Sequence, residues 1–371
     1  MLCAGAVFAQ SGRRIKPLPE PTPSIAPKDR YSESRSYKPQ RIYPPNYRSK
    51  NEKAVPVKAQ TQDAADTADG EDVITVDSTI VTIPVSIYDR NGLYIPNVKK
   101  EEVEIYEEGV KQEIAYFGTS EQPFTVALLI DTSPSTEYSL TQIQTAARAF
   151  VDQLKPQDKV LVMEFDGDPQ VLTEATNDRQ KIYKGISEAD FGSGTALYDA
   201  VDYALNKRLN KIEGRKAIVL FTDGVDTVSR KSYISTVTDA EESETIVFTI
   251  YYNTFFQNQR SGGGIFGSPF PGSRTRNTGN GTSAEEYTLG KAYLEDLTNS
   301  TGGRIFTPDK TPGGLRRAFE GIAEELRRQY NVGYYPAKEG EIGEKRKIKV
   351  RVYRPDLIIR ARDSYIYGQN Q

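Results

Sequence analysis

Four short runs of this chain are almost entirely apolar, and they constrain the fold more than any other feature of the sequence. They are Phe124–Ile130, Val160–Met163, Ala217–Phe221 and Ile246–Ile250. An apolar run without polar alternation is typical of a strand buried on both faces, as in a parallel sheet covered by helices. The runs therefore predict strands at the centre of a layered domain.

The stretches between these runs have the apolar spacing of amphipathic helices. The face of one predicted helix carries Ile143, Ala147, Phe150, Val151 and Leu154. The last predicted helix starts after Pro312, and its apolar face carries Leu315, Phe319, Ile322, Leu326 and Tyr330. Alternating strands and helices over residues 123–330 predict an α/β fold with a doubly wound, mostly parallel, Rossmann-like sheet. Such sheets bind ligands at the carboxyl ends of their strands.

Sequence on both sides of this unit shows the period-two alternation of half-buried strands. Val81, Ile83, Val85 and Ile87 alternate with more polar residues, and so do Ile348, Val350 and Val352. Each flank alone is too short to enclose a core. We therefore expect residues 76–122 and 331–368 to form one small β-rich domain, with the α/β domain inserted between them.

The N-terminal part of the chain has a different composition. Residues 1–9 end in Val-Phe-Ala before Gln10, which is typical of the end of a signal peptide, so we expect an exported protein that is periplasmic, cell-surface or extracellular. Residues 10–75 hold nine of the 21 prolines and few aliphatic side chains, and they change from basic to acidic. This composition predicts a disordered linker. A basic tether that touches an anionic surface is the alternative for this segment.

Charge and hydropathy give no indication of nucleic-acid binding or of a membrane-spanning segment. Residues 11–60 carry twelve basic and four acidic side chains, which leaves a net charge of −11 on residues 61–371. An acidic folded part gives no reason to expect nucleic-acid binding. No run of about 18 apolar residues occurs, so the sequence predicts no transmembrane segment.

The chain has no histidine, and its single cysteine, Cys3, lies in the predicted leader. Catalysis by a Ser-His-Asp or Cys-His arrangement and zinc sites with imidazole ligands are therefore excluded. The remaining side chains offer oxygen atoms, which suit hard cations such as Mg²⁺ or Ca²⁺.

Oxygen-bearing side chains lie on three predicted loops at one edge of the sheet. They are Asp131, Ser133 and Ser135 after the first strand, Thr195 at a helix start, and Asp223 after the third strand. Five oxygen donors with two negative charges suit the octahedral coordination of Mg²⁺. The sequence therefore predicts a divalent-cation site of Mg²⁺, Mn²⁺ or Ca²⁺ at this edge.

Three motifs in this order resemble the von Willebrand factor A-type (VWFA) domain and its metal-ion-dependent adhesion site. They are D-x-S-x-S at 131–135, G-x-G-T-A-L-Y-D-A at 192–200 and F-T-D-G at 221–224. The flanks "Gly109-Val110-Lys111-Gln112-Glu113-Ile114" and "Tyr330-Asn331-Val332-Gly333-Tyr334-Tyr335-Pro336" are similar to a bacterial family of exported VWFA-related proteins. The resemblance covers about residues 76–368.

The resemblance implies a role for each site residue. Ser133, Ser135 and Thr195 would supply hydroxyl ligands, while Asp131 and Asp223 would hold the metal directly or through water. One coordination position would remain for an acidic group of a protein, matrix or cell-surface partner. Singly, the serines could instead cap the helix that begins near Tyr138, and Thr195 could cap its own helix.

Further acids and one long loop lie near this predicted edge. We interpret Asp166 and Asp226 as solvated loop acids, with a supporting role behind the metal ligands as the alternative, and Asp199 as a support for the loop backbone. Residues 254–284 form a Gly/Pro-rich loop that is either a partner contact or an insertion without a contact role.

Three hypotheses for function follow, and the first is preferred. The chain is a non-enzymatic, exported binding protein whose metal ion captures an acidic group. Alternatively, the metal only stabilises a scaffold subunit, and the edge of the β-domain does the binding. The third hypothesis is a metal-dependent phosphohydrolase-like enzyme with Asp131 as nucleophile, but such enzymes need a second acid where this chain has Ser133.

Overall fold

A computed structural model describes residues 31–35, 80–119, 122–133, 140–252, 283–311 and 313–368. In chain order the strands of these residues are β1 (Ser32–Glu33), β2 (Val81–Asp89), β3 (Val103–Glu107), β4 (Val110–Gln112), β5 (Ile114–Thr119), β6 (Phe124–Asp131), β7 (Lys159–Phe165), β8 (Pro169–Thr176), β9 (Arg215–Thr222), β10 (Ile246–Tyr251), β11 (Ile305–Phe306), β12 (Tyr330–Tyr334), β13 (Lys345–Val352), β14 (Leu357–Arg360) and β15 (Ser364–Ile366). The α-helices are α1 (Leu140–Asp152), α2 (Arg179–Glu188), α3 (Leu197–Asp202), α4 (Tyr233–Glu242), α5 (Ala284–Thr301) and α6 (Gly314–Arg327). A π-helical turn, Tyr203–Arg208, continues α3, and short 3₁₀ turns lie at Lys100–Glu102 and Leu209–Lys211.

Six strands form the large sheet in the order β11-β10-β9-β6-β7-β8. All neighbours are parallel except β7 and β8, which are antiparallel. Every residue of β6 is buried, because helices cover both faces of the sheet. Side chains of α1, α2 and α6 pack on one face and those of α3, α4 and α5 on the other. This arrangement confirms the predicted α/β, doubly wound and mostly parallel sheet.

The order of the strands reverses at β6. The chain places β7 on one side of β6, and it later places β9 on the other side. The helices that follow these strands consequently lie on opposite faces, which opens a crevice beyond the carboxyl ends of β6 and β9. Residues that follow these strands meet in that crevice.

A smaller unit consists of strands from both sides of the large sheet. One of its sheets has the order β14-β2-β12-β5, and the other has the order β1-β13-β3-β4 with β15 also paired to β13. Strands from before and after the α/β unit are direct antiparallel neighbours, for example β2 with β12 and β3 with β13. The core between these sheets contains Ile83, Ile105, Val332 and Val350, each at most 1% exposed.

Residues 31–35, which the composition predicts to be part of a disordered linker, belong to this smaller unit. Ser32 and Glu33 form β1 against β13, and the Tyr31 ring is buried. The linker prediction is corrected for these five residues, because one buried tyrosine and an ion pair from Glu33 to Arg351 anchor them. The rest of the predicted linker and residues 1–9 lie outside the described residues.

The end of the last helix also differs from the prediction. Tyr330, predicted on the apolar face of this helix, is the first residue of β12, and α6 ends at Arg327. The Tyr330 ring stacks between Tyr94 and Phe117, with centroids 5.7 and 5.3 Å away, and its hydroxyl donates to the Ile95 carbonyl oxygen. Packing in the smaller unit therefore overrides the helical periodicity of the sequence.

Candidate metal centre

Asp131 is the last residue of β6, and its side chain is completely buried. One carboxylate oxygen accepts a hydrogen bond from the backbone N–H of Ser133 at 3.0 Å. The other accepts from the Thr222 hydroxyl at 2.7 Å. Both oxygens are therefore oriented by neighbours, and the carboxylate is held at the end of the strand.

Asp223 follows the last residue of β9 directly and is also completely buried. It accepts a hydrogen bond from the backbone N–H of Val225 at 3.0 Å, which fixes a tight turn. Because Ile130 is in register with Phe221, Asp131 lies beside Thr222 at the end of β9, and Asp223 is the next residue of the chain.

Burial and mutual repulsion act together on these two acids. Burial raises the pKa of Asp131 to about 7, with a second contribution from the negative charge of Asp223. Hydrogen bonds from Ser133 and Thr222 partly oppose this rise. The largest contributions to this shift are burial, the charge of Asp223 and the hydrogen bonds from Ser133 and Thr222, and none of these is a cation. A cation bound here would favour the charged form of Asp131.

Two hydroxyl residues complete the described part of the centre. Ser133 is buried next to Asp131, and its side chain hydrogen-bonds to that carboxylate. Thr195 is buried in the loop that precedes α3. The N-cap of α3 is Ala196, without a side-chain capping bond, so the structure does not support the alternative role of Thr195 as the cap of that helix.

Backbone hydrogen bonds join the three loops that carry these residues. Gly192 N–H donates to the Thr132 carbonyl oxygen at 3.2 Å, which ties the 191–196 loop to the β6 loop. The Thr195 N–H donates to the Thr227 hydroxyl, and the Thr227 N–H donates to the Thr195 carbonyl oxygen, both at 2.9 Å. The structure therefore brings together Asp131, Ser133, Thr195 and Asp223. Ser135, and the predicted start of a helix near Tyr138, lie outside the described residues.

The nearby acids differ in their surroundings. Asp226 accepts hydrogen bonds from Ser229 and from the backbone of Tyr198, and burial raises its pKa, so its interpretation as a solvated acid is wrong. Asp166 is half-buried and accepts from the Ser193 N–H at 3.1 Å in an exposed hydrogen bond, so it orients the 191–196 loop while it remains in contact with solvent.

Asp199 has the role predicted for it. Its carboxylate accepts hydrogen bonds from the backbone N–H groups of Arg230 and Lys231, at 3.1 and 2.8 Å. These bonds hold the loop that follows Asp223. The predicted loop 254–284 lies outside the described residues except for its last two residues, Ser283, which caps α5, and Ala284, the first residue of that helix.

Two residues that position the site were not predicted from the sequence. Thr222 lies inside the F-T-D-G motif. Its hydroxyl donates a hydrogen bond to Asp131 and accepts one from the backbone N–H of Gly224 at 3.0 Å. Gly290 of α5 lies against Gly224, where a Cβ atom would come within 2.2 Å of the Gly224 carbonyl oxygen. The sequence offered a signal for Thr222, because this residue ends a predicted strand and directly precedes Asp223. It offered none for Gly290, because the contact of Gly290 with Gly224 depends on how the helix packs.

The donor set fits a hard divalent cation. Two buried carboxylates and two buried hydroxyl side chains offer only oxygen atoms, which is the chemistry that Mg²⁺ selects. Within the described part of the chain, no three His, Cys, Asp or Glu side chains cluster where they could hold a metal ion, and this centre combines only two carboxylates with hydroxyl groups.

Comparison with known proteins identifies the class of domain. Residues 126–225 match the family model of the von Willebrand factor type A domain. No curated protein matches the chain. The matched segment contains most of β6, all of β7 and β9 and the three motifs, so residues 126–225 belong to a von Willebrand factor type A domain, and the resemblance predicted from these motifs is confirmed over this segment.

Several solved structures are similar in part. An aerotolerance-related membrane protein from Bacteroides fragilis is 18% identical, with 55% of this chain and 98% of that chain covered and a TM-score of 0.39. The vWF domain of the type V pili tip protein Mfa5 from Porphyromonas gingivalis is 13% identical, covering 59% and 98%, with a TM-score of 0.40. Proximal thread matrix protein 1 from the mussel byssus is 13% identical, covering 60% and 51%, with a TM-score of 0.42.

Proposed function

We propose that this chain is an exported binding protein whose A-type domain holds a divalent cation and uses it to capture an acidic group of a partner. The observation that carries the proposal is the pair of fully buried acids, Asp131 and Asp223, at the carboxyl edge of the sheet. Burial of two neighbouring carboxylates is costly unless a cation compensates them. Asp131 and Asp223 would hold this ion, with Ser133, Thr195 and Ser135 as hydroxyl donors.

The charge of such a centre favours an anionic ligand. A divalent ion that faces two carboxylates keeps an attraction for a further negative group. The loops of the centre also expose apolar side chains, Phe191 and Val228, which are 46% and 50% exposed. Exposed apolar residues next to a charge-binding centre fit a protein surface better than a small ion. We therefore expect a partner whose carboxylate is flanked by apolar residues.

Binding is favoured over catalysis by the residue at position 133. A phosphohydrolase that used Asp131 as nucleophile would need a second acid as proton donor, and the neighbouring side chain is Ser133.

Among the helices of the described residues, none has the length and apolar character that a membrane span requires.

The test is a calorimetric titration of Mg²⁺ and Mn²⁺ into the full chain and its variants. The parent should bind one ion, and Asp131→Ala or Asp223→Ala should reduce its affinity at least 100-fold while circular dichroism remains unchanged. Asp168→Ala is the matched control, because Asp168 is an exposed acid of a neighbouring loop. Its affinity should stay within twofold of the parent. A folded parent that binds no divalent ion would contradict the proposed centre.

A second titration separates capture of a partner from a purely structural metal. Peptides with one Asp between apolar residues are added to the chain in the presence of Mg²⁺. The titration is repeated with EDTA in place of Mg²⁺, and again with peptides in which Asn replaces the Asp. Binding that requires both the metal and the carboxylate supports the proposal. Metal binding without any peptide binding would instead favour the scaffold hypothesis.

A further inference from the structure

Part of the β13 edge is covered by a segment from far away in the sequence. One edge of β13 pairs with β3, and the first half of its other edge pairs with β15. The second half of that edge pairs with β1, with Ser32 in register with Val352. We call residues 31–35 the tail segment, and we call the surface that they cover the β13 groove.

Two serines of the tail segment make the main-chain contacts. Ser34 N–H donates to the Val350 carbonyl oxygen at 2.7 Å, and its hydroxyl accepts from the Val350 N–H at 2.9 Å. The Ser32 hydroxyl donates to the Arg354 carbonyl oxygen at 2.8 Å and accepts from the Leu357 N–H at 3.0 Å. The tail segment therefore satisfies polar backbone groups of a strand edge, as an added strand does in peptide recognition.

The other contacts depend on the side chains of the tail segment. Glu33 accepts hydrogen bonds from Nη2 and Nε of Arg351, at 2.7 and 3.0 Å. The Arg351 guanidinium also lies 4.2 Å from the centroid of the buried Tyr31 ring, which packs edge-on against Tyr353. Arg351 thus contacts both a carboxylate and an aromatic ring, and these two contacts would favour a segment with a tyrosine followed two residues later by an acid.

The connection between the tail segment and the folded unit is long. Residues 36–79 separate it from Ile80, the residue before β2. These 44 residues could span about 150 Å when fully extended, at about 3.4 Å per residue. A domain of about 290 residues has a radius of gyration of only about 19 Å. The covalent connection therefore allows the same segment to reach a neighbouring molecule.

We propose that the β13 groove is a peptide-binding site that takes the tail segment of a second copy of this chain. The contacts described above all join the tail segment to the groove and none involves the chain that connects them, so the same contacts can form within one molecule and between two. Exchange of an identical element between copies is a route to dimers that costs little. This binding site is separate from the candidate metal centre, and the proposal does not depend on metal.

The first experiment measures binding of a labelled peptide of residues 28–38. The full chain with the double change Tyr31→Ala and Glu33→Lys keeps its groove but loses its own competing segment. The peptide should bind this variant at least tenfold more tightly than it binds the parent, whose groove is occupied. A peptide carrying Glu33→Lys is the matched control, and its affinity should fall at least tenfold. No binding to the folded double variant would overturn the groove.

The second experiment tests whether a second copy is the occupant. One full chain carries Glu33→Arg and another carries Arg351→Glu, so neither has a matched contact within itself, but a mixed pair has two. Analytical ultracentrifugation of the mixture should show a heterodimer at a concentration at least tenfold below that at which either chain associates alone. Circular dichroism checks that the Arg351→Glu chain is folded.

A third chain keeps the test decisive if Arg351→Glu does not fold. In that case the double variant Tyr31→Ala and Glu33→Lys, which has an intact groove, is mixed with the parent as donor of the segment. Hetero-association at up to about 1 mM, the range of effective concentrations for tethered segments, supports exchange. If all folded mixtures stay monomeric although the peptide binds, the second copy is overturned as the occupant.

Discussion

The Asp131 carboxylate experiences opposing demands from folding and from metal binding. Folding buries it beside Asp223, which favours its protonated form and raises its pKa from 3.8 to about 7. A metal ion requires the charged form of the same group. The side chain is therefore a source of instability at neutral pH unless a cation is bound.

This conflict predicts that the metal-free protein loses stability as the pH rises. A proton binds the folded state more tightly than the unfolded state, so the free energy of unfolding falls between about pH 4 and pH 7. The fall should be on the order of 2–4 kcal/mol, since one pKa unit corresponds to about 1.4 kcal/mol. Thermal unfolding in EDTA from pH 4 to pH 8 measures it, and Mg²⁺ should restore stability mainly above pH 6.

Asp131→Asn separates this effect from general acid denaturation. Without metal at pH 8, we expect the variant to be at least as stable as the parent, because it buries no charge. It should also lack most of the decline with pH and gain nothing from Mg²⁺. A variant with the same pH slope as the parent would show that another group causes the decline.

At the scale of elements, the contact of α5 with the Asp223 loop sets the position of one acid. Gly290 allows the helix to lie directly on the Gly224 backbone, with no space for a Cβ atom. Because Gly224 is next to Asp223, a displaced helix or loop would move this carboxylate. Small shifts of a rigid oxygen ligand matter for Mg²⁺, which demands near-ideal geometry.

Gly290→Ala is therefore expected to weaken Mg²⁺ binding at least tenfold and to destabilise the fold by about 1–3 kcal/mol, a typical cost of overpacking. Gly185→Ala in α2 is the matched control, because its Cβ would meet the Thr173 side chain rather than a site backbone. The control should lose stability without losing affinity. Calorimetry and urea unfolding of both variants measure the two quantities. Equal affinities for Gly290→Ala and the parent would refute this positioning role.

The elements also show how far the sequence alone could lead. Strands β6, β9 and β10 were predicted because their burial on both faces leaves a run of apolar residues. The antiparallel β8 was not predicted, since its side chains are half-exposed or exposed at the sheet edge and leave no clear pattern. The local pattern predicts a helix for Tyr330, because the residues that hold it in β12, Tyr94 and Phe117, are far away in the sequence.

The candidate site was predictable to the same extent. Parallel strands end at one edge, so Asp131 and Asp223 could be placed together from the strand pattern alone. Their depth of burial and the hydrogen bond from Thr222 could not be, because both depend on how helices and loops close over the crevice. The contact between Gly224 and Gly290 joins residues 66 positions apart, and only the docking of α5 creates it.

At the scale of the whole molecule, the smaller β unit and the α/β unit share buried contacts. Arg304, next to β11, forms an ion pair of 2.7 Å with Glu325 of α6, which is almost fully buried. The Arg304 guanidinium also lies 5.4 Å from the centroid of the Tyr88 ring in β2. On the opposite face, Lys345 of β13 contacts Glu241 of α4 at 2.5 Å. Because such contacts link both units, we expect them to unfold together.

Shared unfolding predicts that metal binding at one edge protects the entire molecule. A ligand at 100 times its dissociation constant adds about 2.7 kcal/mol, so amide exchange through global unfolding should slow about 100-fold. Hydrogen exchange with and without Mg²⁺ should show this slowing for Leu129 in β6 and equally for Val332 and Val350 in the smaller unit. Asp131→Ala should abolish it in both units. Slowing confined to β6 and its neighbours would mean that the units unfold separately, and the ion pair of Arg304 with Glu325 would then not couple them.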